Sequence, residues 1–253
     1  MITALRLAFQ FLTRIPISTP IEITLEQQSK SLLFYPLVGL FIGTVLLSVL
    51  YIVNPISNII AAALTLTIWV LITGGLHIDG LADSADAWLG GTKATKEHTK
   101  SRTFEIMKDP NCGPAGVFWI VLIMLVKFAA LTEVTQSTLF IVLLVPTIGR
   151  TMAILLFITT PYVSPNGIAS EYAKYIPQKA LIVIIFFVAL FLVFINIYSV
   201  LVIFTSVLAM ILLRQLMLSR LDGMTGDTAG ALIEITECVS LVTYILIFSV
   251  TVH

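Results

Sequence analysis

The chain has 253 residues, of which 58 % are hydrophobic and only 11 % charged, whereas soluble domains carry about twice that charge. That excludes an ordinary water-soluble globule and points to an integral membrane protein with room for about seven or eight spans. Lys plus Arg and Asp plus Glu number 14 each, so a basic nucleic-acid-binding face is excluded as well.

Residues 1–17 are expected as a short interfacial helix. Leu5, Ala8, Phe9 and Leu12 form one apolar stripe, and Pro16 and Pro20 end it. Arg6 and Arg14 interrupt this run, so no cleavable signal peptide is expected. Residues 18–30 are a polar connection. Seven spans then follow on hydropathy, at 31–53, 56–78, 114–132, 137–159, 179–195, 197–218 and 229–250. Pro114 opens the third at an N1 position and Pro161 stops the fourth. The fifth and sixth form one nearly unbroken apolar stretch that must turn near Asn196. The fold class is therefore all-α: a polytopic membrane bundle of about seven helices, with an N-terminal interfacial helix and loop helices, forming a single domain over 1–253. Cys112 and Cys238 are far apart, match no metal-binding spacing and read as ordinary thiols.

Basic residues gather on one side. Arg6, Arg14, Lys30, Lys93, Lys96, Lys100, Arg102, Lys108, Lys174, Lys179, Arg214 and Arg220 fall on the side of the N-terminus, while the opposite loops hold none. By the positive-inside rule that side is cytoplasmic and His253 lies outside. The largest loop, 79–113, is on the cytoplasmic side, and its stretch 92–108 has helical character.

The run Gly74-Gly75-Leu76-His77-Ile78-Asp79-Gly80-Leu81-Ala82-Asp83-Ser84-Ala85-Asp86 follows an apolar span and places acids at i, i+4 and i+7. On a helix these fall within an arc of roughly 60°. Three anions on one face need a neutralising partner, and a divalent cation with oxygen ligands is the simplest one. The plainer alternative is that Asp79 caps a helix and the others are solvated. His77 points away from Asp79 on a continuous helix; it is read as a hydrogen-bonding or substrate-contacting residue or, equally, a structural one, and not as a metal ligand. A second run, 225–237, puts Asp227, Glu234 and Glu237 on one face. The glutamates fall inside an apolar span, where an ionisable group is a functional candidate by default. The alternative is that Asp227 is an N-cap and the glutamates are interfacial. Arg102 and Lys108 precede a glycine-containing helix start suited to phosphate oxygens, or equally belong to a positive-inside loop with a turn. Arg150 is expected to face the bundle interior and pair with an acid or a phosphate, Lys127 to lie within snorkelling reach of the outer interface, and Arg214 to point into the site or into headgroups. No Walker A loop, Rossmann fingerprint or Ser-His-Asp order is present. These residues suggest metal-assisted transfer of a phosphate-linked group.

The 74–86 run resembles the signature of the cobalamin synthase (adenosylcobinamide-GDP ribazoletransferase) family. Phe11-Leu12-Thr13-Arg14-Ile15-Pro16, Glu105-Ile106-Met107-Lys108-Asp109 with Gly113 and Gly116, Lys127-Phe128, Arg150, and Thr225-Gly226-Asp227-Thr228 with Gly230-Ala231 are similar in the same order. The likeness covers essentially the whole chain. It departs at Ala87, at Leu221-Asp222-Gly223 and at Pro161-Tyr162-Val163-Ser164, none of which removes a core carboxylate. The resemblance implies that adenosylcobinamide-GDP and α-ribazole, or its 5′-phosphate, give adenosylcobalamin, or its phosphate, and GMP. It also implies Mg²⁺ dependence and a prokaryotic inner-membrane location. On that reading Asp79, Asp83, Asp86 and Asp227 hold the metal, with Asp83 and Asp86 also catalytic. Glu234 or Glu237 orients the ribazole or a water. His77, Arg102, Lys108, Arg150 and Arg214 contact substrate. A homo-oligomer is left open. Two other readings are weighed. A CDP-alcohol phosphotransferase shares Asp79-Gly80-Leu81-Ala82, but its signature is broken here by Asp83. A cation-coupled transporter would need a path to both sides, and the acids cluster at one.

Overall fold

In the computed structural model the described residues are 1–18, 22–91, 95–164, 167 and 169–252. Pro20, Lys93 and His253 lie outside them. Every regular element is helical among the described residues.

Helix α1 (Ile2–Leu12) buries Ala4, Ala8 and Leu12 along one stripe. Helix α2 (Leu25–Ser31) starts at a capping box between Thr24 and Gln27. A 3₁₀ turn at Leu32–Phe34 carries it into α3 (Tyr35–Val53). The later elements are α4 (Asn58–Thr73), α5 (Leu76–Gly90), α6 (Lys96–Ile106), α7 (Pro114–Thr132), α8 (Phe140–Thr159), α9 (Gln178–Ile195), α10 (Ser199–Leu221) and α11 (Gly226–Val252). Among the described residues, six helices are long and apolar enough to cross a membrane: the α2–α3 run, α7, α8, α9, α10 and α11.

The expected second span, 56–78, is corrected. It is two helices, α4 and α5, bent 86° from each other. Gly74 and Gly75 both adopt left-handed φ, +65° and +71°. Each left-handed position costs a residue with a Cβ about 1–2 kcal/mol, so this pair ends α4 where hydropathy alone runs on. Arg14 seals the break: its N–H donates to the Ile72 carbonyl at 2.8 Å, and its side chain lies against Gly74. The turn expected near Asn196 is present, with the Asn196 amide donating to the Tyr244 hydroxyl at 2.9 Å.

Helix α8 is the centre of the bundle and is buried along most of its length. It meets α3 at van der Waals contact of the two backbones. A Cβ on Gly39 would stand 2.6 Å from the Pro146 carbonyl oxygen, and one on Gly43 would overlap the Leu143 backbone. Two glycines four apart on a helix allow this approach without a hydrophobic driving force between the helices. Gly43→Leu is expected to lower stability by about 1–3 kcal/mol through overpacking, read as an earlier thermal unfolding midpoint in detergent. An unchanged midpoint would mean the α3–α8 seam is not close-packed.

Candidate functional site

The acidic helix α5 lies beyond the Gly74-Gly75 break, outside the six long apolar helices, and packs along the start of α11. The two helices cross closely, and at Gly80 only glycine fits. A Cβ on Gly80 would sit 2.6 Å from the Asp227 carbonyl oxygen, and one on Gly230 would sit 3.3 Å from the His77 Cα. This approach brings Asp79 and Asp227 to the wall of one cavity of ≈ 270 Å³, reached also by α1, α3 and α8.

Asp83, one turn further along α5, is half-buried. Its carboxyl is pushed up to about 7, first by burial and then by the negative charges of Asp79, Asp227 and Asp86. The cluster is therefore short of positive charge. Hard carboxylate oxygens are the donors that a Mg²⁺-type ion takes, so the donor chemistry fits such an ion. Among the described residues, however, no three acids, histidines or cysteines converge into a ligand set. The side chains alone do not complete a metal site.

Asp86 is engaged differently from its neighbours. Its two carboxylate oxygens accept the backbone N–H groups of Gly113 at 2.7 Å and Gly116 at 2.9 Å. It caps the start of α7, where an anion also meets the positive end of the helix dipole. Cβ atoms at Gly113 and Gly116 would collide with that carboxylate.

The remaining walls are aromatic. Phe11 stacks on Tyr35, with ring centroids 6.3 Å apart, and Phe157 on Tyr162 at 6.4 Å. All four line the cavity. Tyr162 is carried there by a short pairing of two loops: the Met224 N–H donates to Pro161 O at 2.8 Å, and the Val163 N–H to Met224 O at 2.9 Å.

Behind the cavity lies a buried ionic network. Lys127 on α7 donates to Glu234 at 2.6 Å and to Glu237 at 2.7 Å. Its ammonium also stands 4.4 Å from the centre of the Trp69 ring. Arg150 on α8 pairs with Glu237, and its Nη2 lies 3.3 Å from His77 Nδ1. The expectation that Lys127 snorkels outward is corrected: it is 1 % exposed and turned inward. Arg150 faces inward and pairs with an acid, as expected. Glu234 and Glu237 are taken up by these cations and neither lines the cavity.

The other expected cations stand apart. Arg102 pairs with Glu105 at 2.7 Å within α6. Lys108 is exposed. Arg214 donates to Thr159 O at 2.7 Å and to Thr160 Oγ1 at 3.1 Å, at the C-terminal end of α8. None of the three lines the cavity. Arg220 instead ties elements together, donating to Thr103 Oγ1 and Ala87 O at 3.1 Å each.

A family model described as cobalamin-5-phosphate synthase matches residues 4–245. The chain belongs to the cobalamin-5-phosphate synthase family. It is similar to proteins named adenosylcobinamide-GDP ribazoletransferase: 44 % identical to one from Stutzerimonas stutzeri, over 94 % of this chain and 96 % of that one. It is 39 % identical to one from Acinetobacter baumannii, over 95 % and 96 %. A Pseudomonas fluorescens relative is 44 % identical over 93 % and 96 %. No solved structure matches the chain. Apart from residues 105–109, the stretches that resemble the cobalamin synthase family meet in space. Phe11, the 76–79 segment and the 226–230 segment surround the cavity. Gly113 and Gly116 hold Asp86. Lys127 and Arg150 form the network behind it.

Proposed function

We infer that the protein transfers the adenosylcobinamide phosphate group of adenosylcobinamide-GDP to the hydroxyl of α-ribazole or its 5′-phosphate, releasing GMP. The observation that carries this reading is family membership over 4–245, with relatives near 44 % identity named for that reaction. The hydroxyl oxygen forms a bond to the phosphorus on the cobinamide side. The bond from that phosphorus to the bridging oxygen breaks, GMP leaves with the electron pair, and the hydroxyl proton passes to solvent or a nearby carboxylate.

Asp79, Asp83 and Asp227 would hold a divalent cation, Mg²⁺ by donor type, with diphosphate oxygens of the donor making up what the side chains lack. Such an ion neutralises diphosphate charge and stabilises the leaving phosphate. The negative charges of Asp79, Asp227 and Asp86, which after burial raise the Asp83 carboxyl, support this, because the same concentrated charge draws cations. Asp86 positions α7 against α5. Lys127, Glu234, Glu237 and Arg150 fix α5, α7, α8 and α11 in register, so the acids of α5 and α11 stay opposed.

The site opens at the bundle end that also carries Arg14, Lys100, Arg102, Lys108 and Arg220, which is the cytoplasmic end by the positive-inside rule. The membrane is the prokaryotic inner membrane. The test uses detergent-solubilised protein with adenosylcobinamide-GDP and α-ribazole. GMP release is expected with Mg²⁺, falling to background with EDTA and returning on Mg²⁺ addition. Undiminished release in EDTA would remove the metal. Release of CMP from a CDP-alcohol donor, with none from the cobinamide donor, would overturn the reaction.

A further inference from the structure

We propose that a groove between α7 and α10, behind the acidic helix α5, binds one acyl chain of a phospholipid, with the lipid phosphate at Arg220.

Helix α5 has two unlike faces. Asp79, Asp83 and Asp86 share one, while Leu81, Ala85, Trp88 and Leu89 fall on the opposite side. These four roof a groove of ≈ 330 Å³ whose walls are almost wholly apolar. Its other walls include Leu213, Leu216 and Met217 of α10, Trp119 of α7 and Ile235 of α11. Helix α5 packs on α11 and α7. That covers Leu81, which is buried, but leaves Leu89 68 % exposed. An amphipathic helix at a membrane surface places such an uncovered face against lipid.

Depth and charge name the occupant. At a rise of about 1.5 Å per residue, Trp119, Leu213, Leu216, Met217 and Ile235 lie roughly 6–14 Å inside the ends of α7, α10 and α11 on the acidic side. One leaflet contributes about 15 Å of hydrocarbon, half of the bilayer core. Leu216 and Trp119 are both exposed at the mouth, so the groove opens on acyl chains. Arg220 continues the α10 stripe: Leu213, Leu216, Met217 and Arg220 stand at i, i+3, i+4 and i+7, with the cation one turn nearer the headgroups. Its guanidinium is 5.5 Å from the centre of the Trp88 ring in the roof. An apolar slot closed at its headgroup end by a cation complements a phosphodiester with a hydrocarbon tail. It does not select a bare hydrocarbon or the apolar helix of a second copy. The bound chain braces the back of the helix that carries the acids on its front. This site is independent of the transferase reading.

The tryptophans are built-in reporters, because bromine on an acyl chain quenches the fluorescence of an indole it touches. In the full chain carrying Trp119→Phe, Trp88 reports on the groove and the buried Trp69 supplies the background. Brominated phosphatidylglycerol added to the protein in detergent is expected to quench Trp88 saturably. Brominated diacylglycerol, which lacks the phosphate, should bind about tenfold or more weakly. Arg220→Gln should remove that difference between the two lipids. Ala85→Phe fills the groove and should abolish the saturable quenching in a chain that still melts cooperatively. Quenching that never saturates, or that is equal for the two lipids, would overturn the proposal. The same comparison in wild type, where Trp119 adds quenching by bulk lipid, needs no variant to fold. Undiminished saturable quenching in folded Ala85→Phe would overturn it too. So would a dimer in light scattering whose Trp88 no lipid reaches, which gives the groove to a second copy.

Discussion

Lys127→Met is expected to destabilise the bundle by about 3–5 kcal/mol, the cost of leaving a buried charge without its partner. Lys127 and Arg150 face Glu234 and Glu237, two cations against two carboxylates, all essentially without solvent contact. Methionine keeps the length of the stem and removes only the charge. Glu237 retains Arg150, whereas Glu234 has no other hydrogen-bonding partner in the network and is stranded in a low-dielectric interior. The double variant Lys127→Met/Glu234→Gln removes the cation and the stranded anion together, and leaves Arg150 balanced by Glu237. It should recover most of the loss, giving a coupling of a few kcal/mol in the double-mutant cycle. The measurement is thermal unfolding in detergent, where the single variant should fall by on the order of 10 °C. A single variant that melts with wild type, or a double variant worse than both singles, would show that the network holds nothing together.

The direction in which Lys127 points was legible only in part. Its depth in an apolar span reads as reach toward the outer interface. Side chains on a helix tilt toward its N-terminus, however, and α7 starts at Pro114 on the side of the acids. A lysine two-thirds along it therefore reaches back into the bundle. The sequence signal was the pair Glu234 and Glu237 on another span, two acids that need a buried cation. The spans themselves were readable because bilayer thickness sets their length: 114–132 agrees end to end with α7. The bend before α5 was not, because hydropathy runs through Gly74-Gly75 and only their left-handed φ reveals it. Helical spacing alone made Asp86 an equivalent of Asp79 and Asp83. The backbone N–H groups of Gly113 and Gly116, nearly 30 residues on, separate it from them. The aromatic walls have no local signature, since Tyr162 reaches the cavity through a pairing with residues about 60 positions away.

Asp79→Asn and Asp227→Asn should each reduce turnover by about a thousandfold while leaving the protein folded. Losing several kcal/mol of charge stabilisation in the transition state corresponds to that factor. Stability and activity are expected to move in opposite senses. Asp79, Asp83, Asp86 and Asp227 repel one another, and after burial this repulsion is the second cause that pushes the Asp83 carboxyl up to about 7. Removing one charge relieves that repulsion, so in Mg²⁺-free buffer either variant should unfold at or above the wild-type temperature. A purely structural cap would behave otherwise. Asp86→Ala frees the N–H groups of Gly113 and Gly116 and should cost about 0.5–2 kcal/mol of stability, as loss of an N-terminal helix cap does. The discriminating measurement is therefore paired: GMP release and melting temperature, with and without Mg²⁺. If Mg²⁺ raises the wild-type melting temperature and fails to raise that of Asp79→Asn or Asp227→Asn, these two acids hold the ion before substrate arrives. If Mg²⁺ shifts neither wild type nor variants without the donor, the diphosphate brings the ion with it, in keeping with a side-chain set that does not close by itself. Near-wild-type turnover in Asp79→Asn or Asp227→Asn would remove that acid from the chemistry altogether.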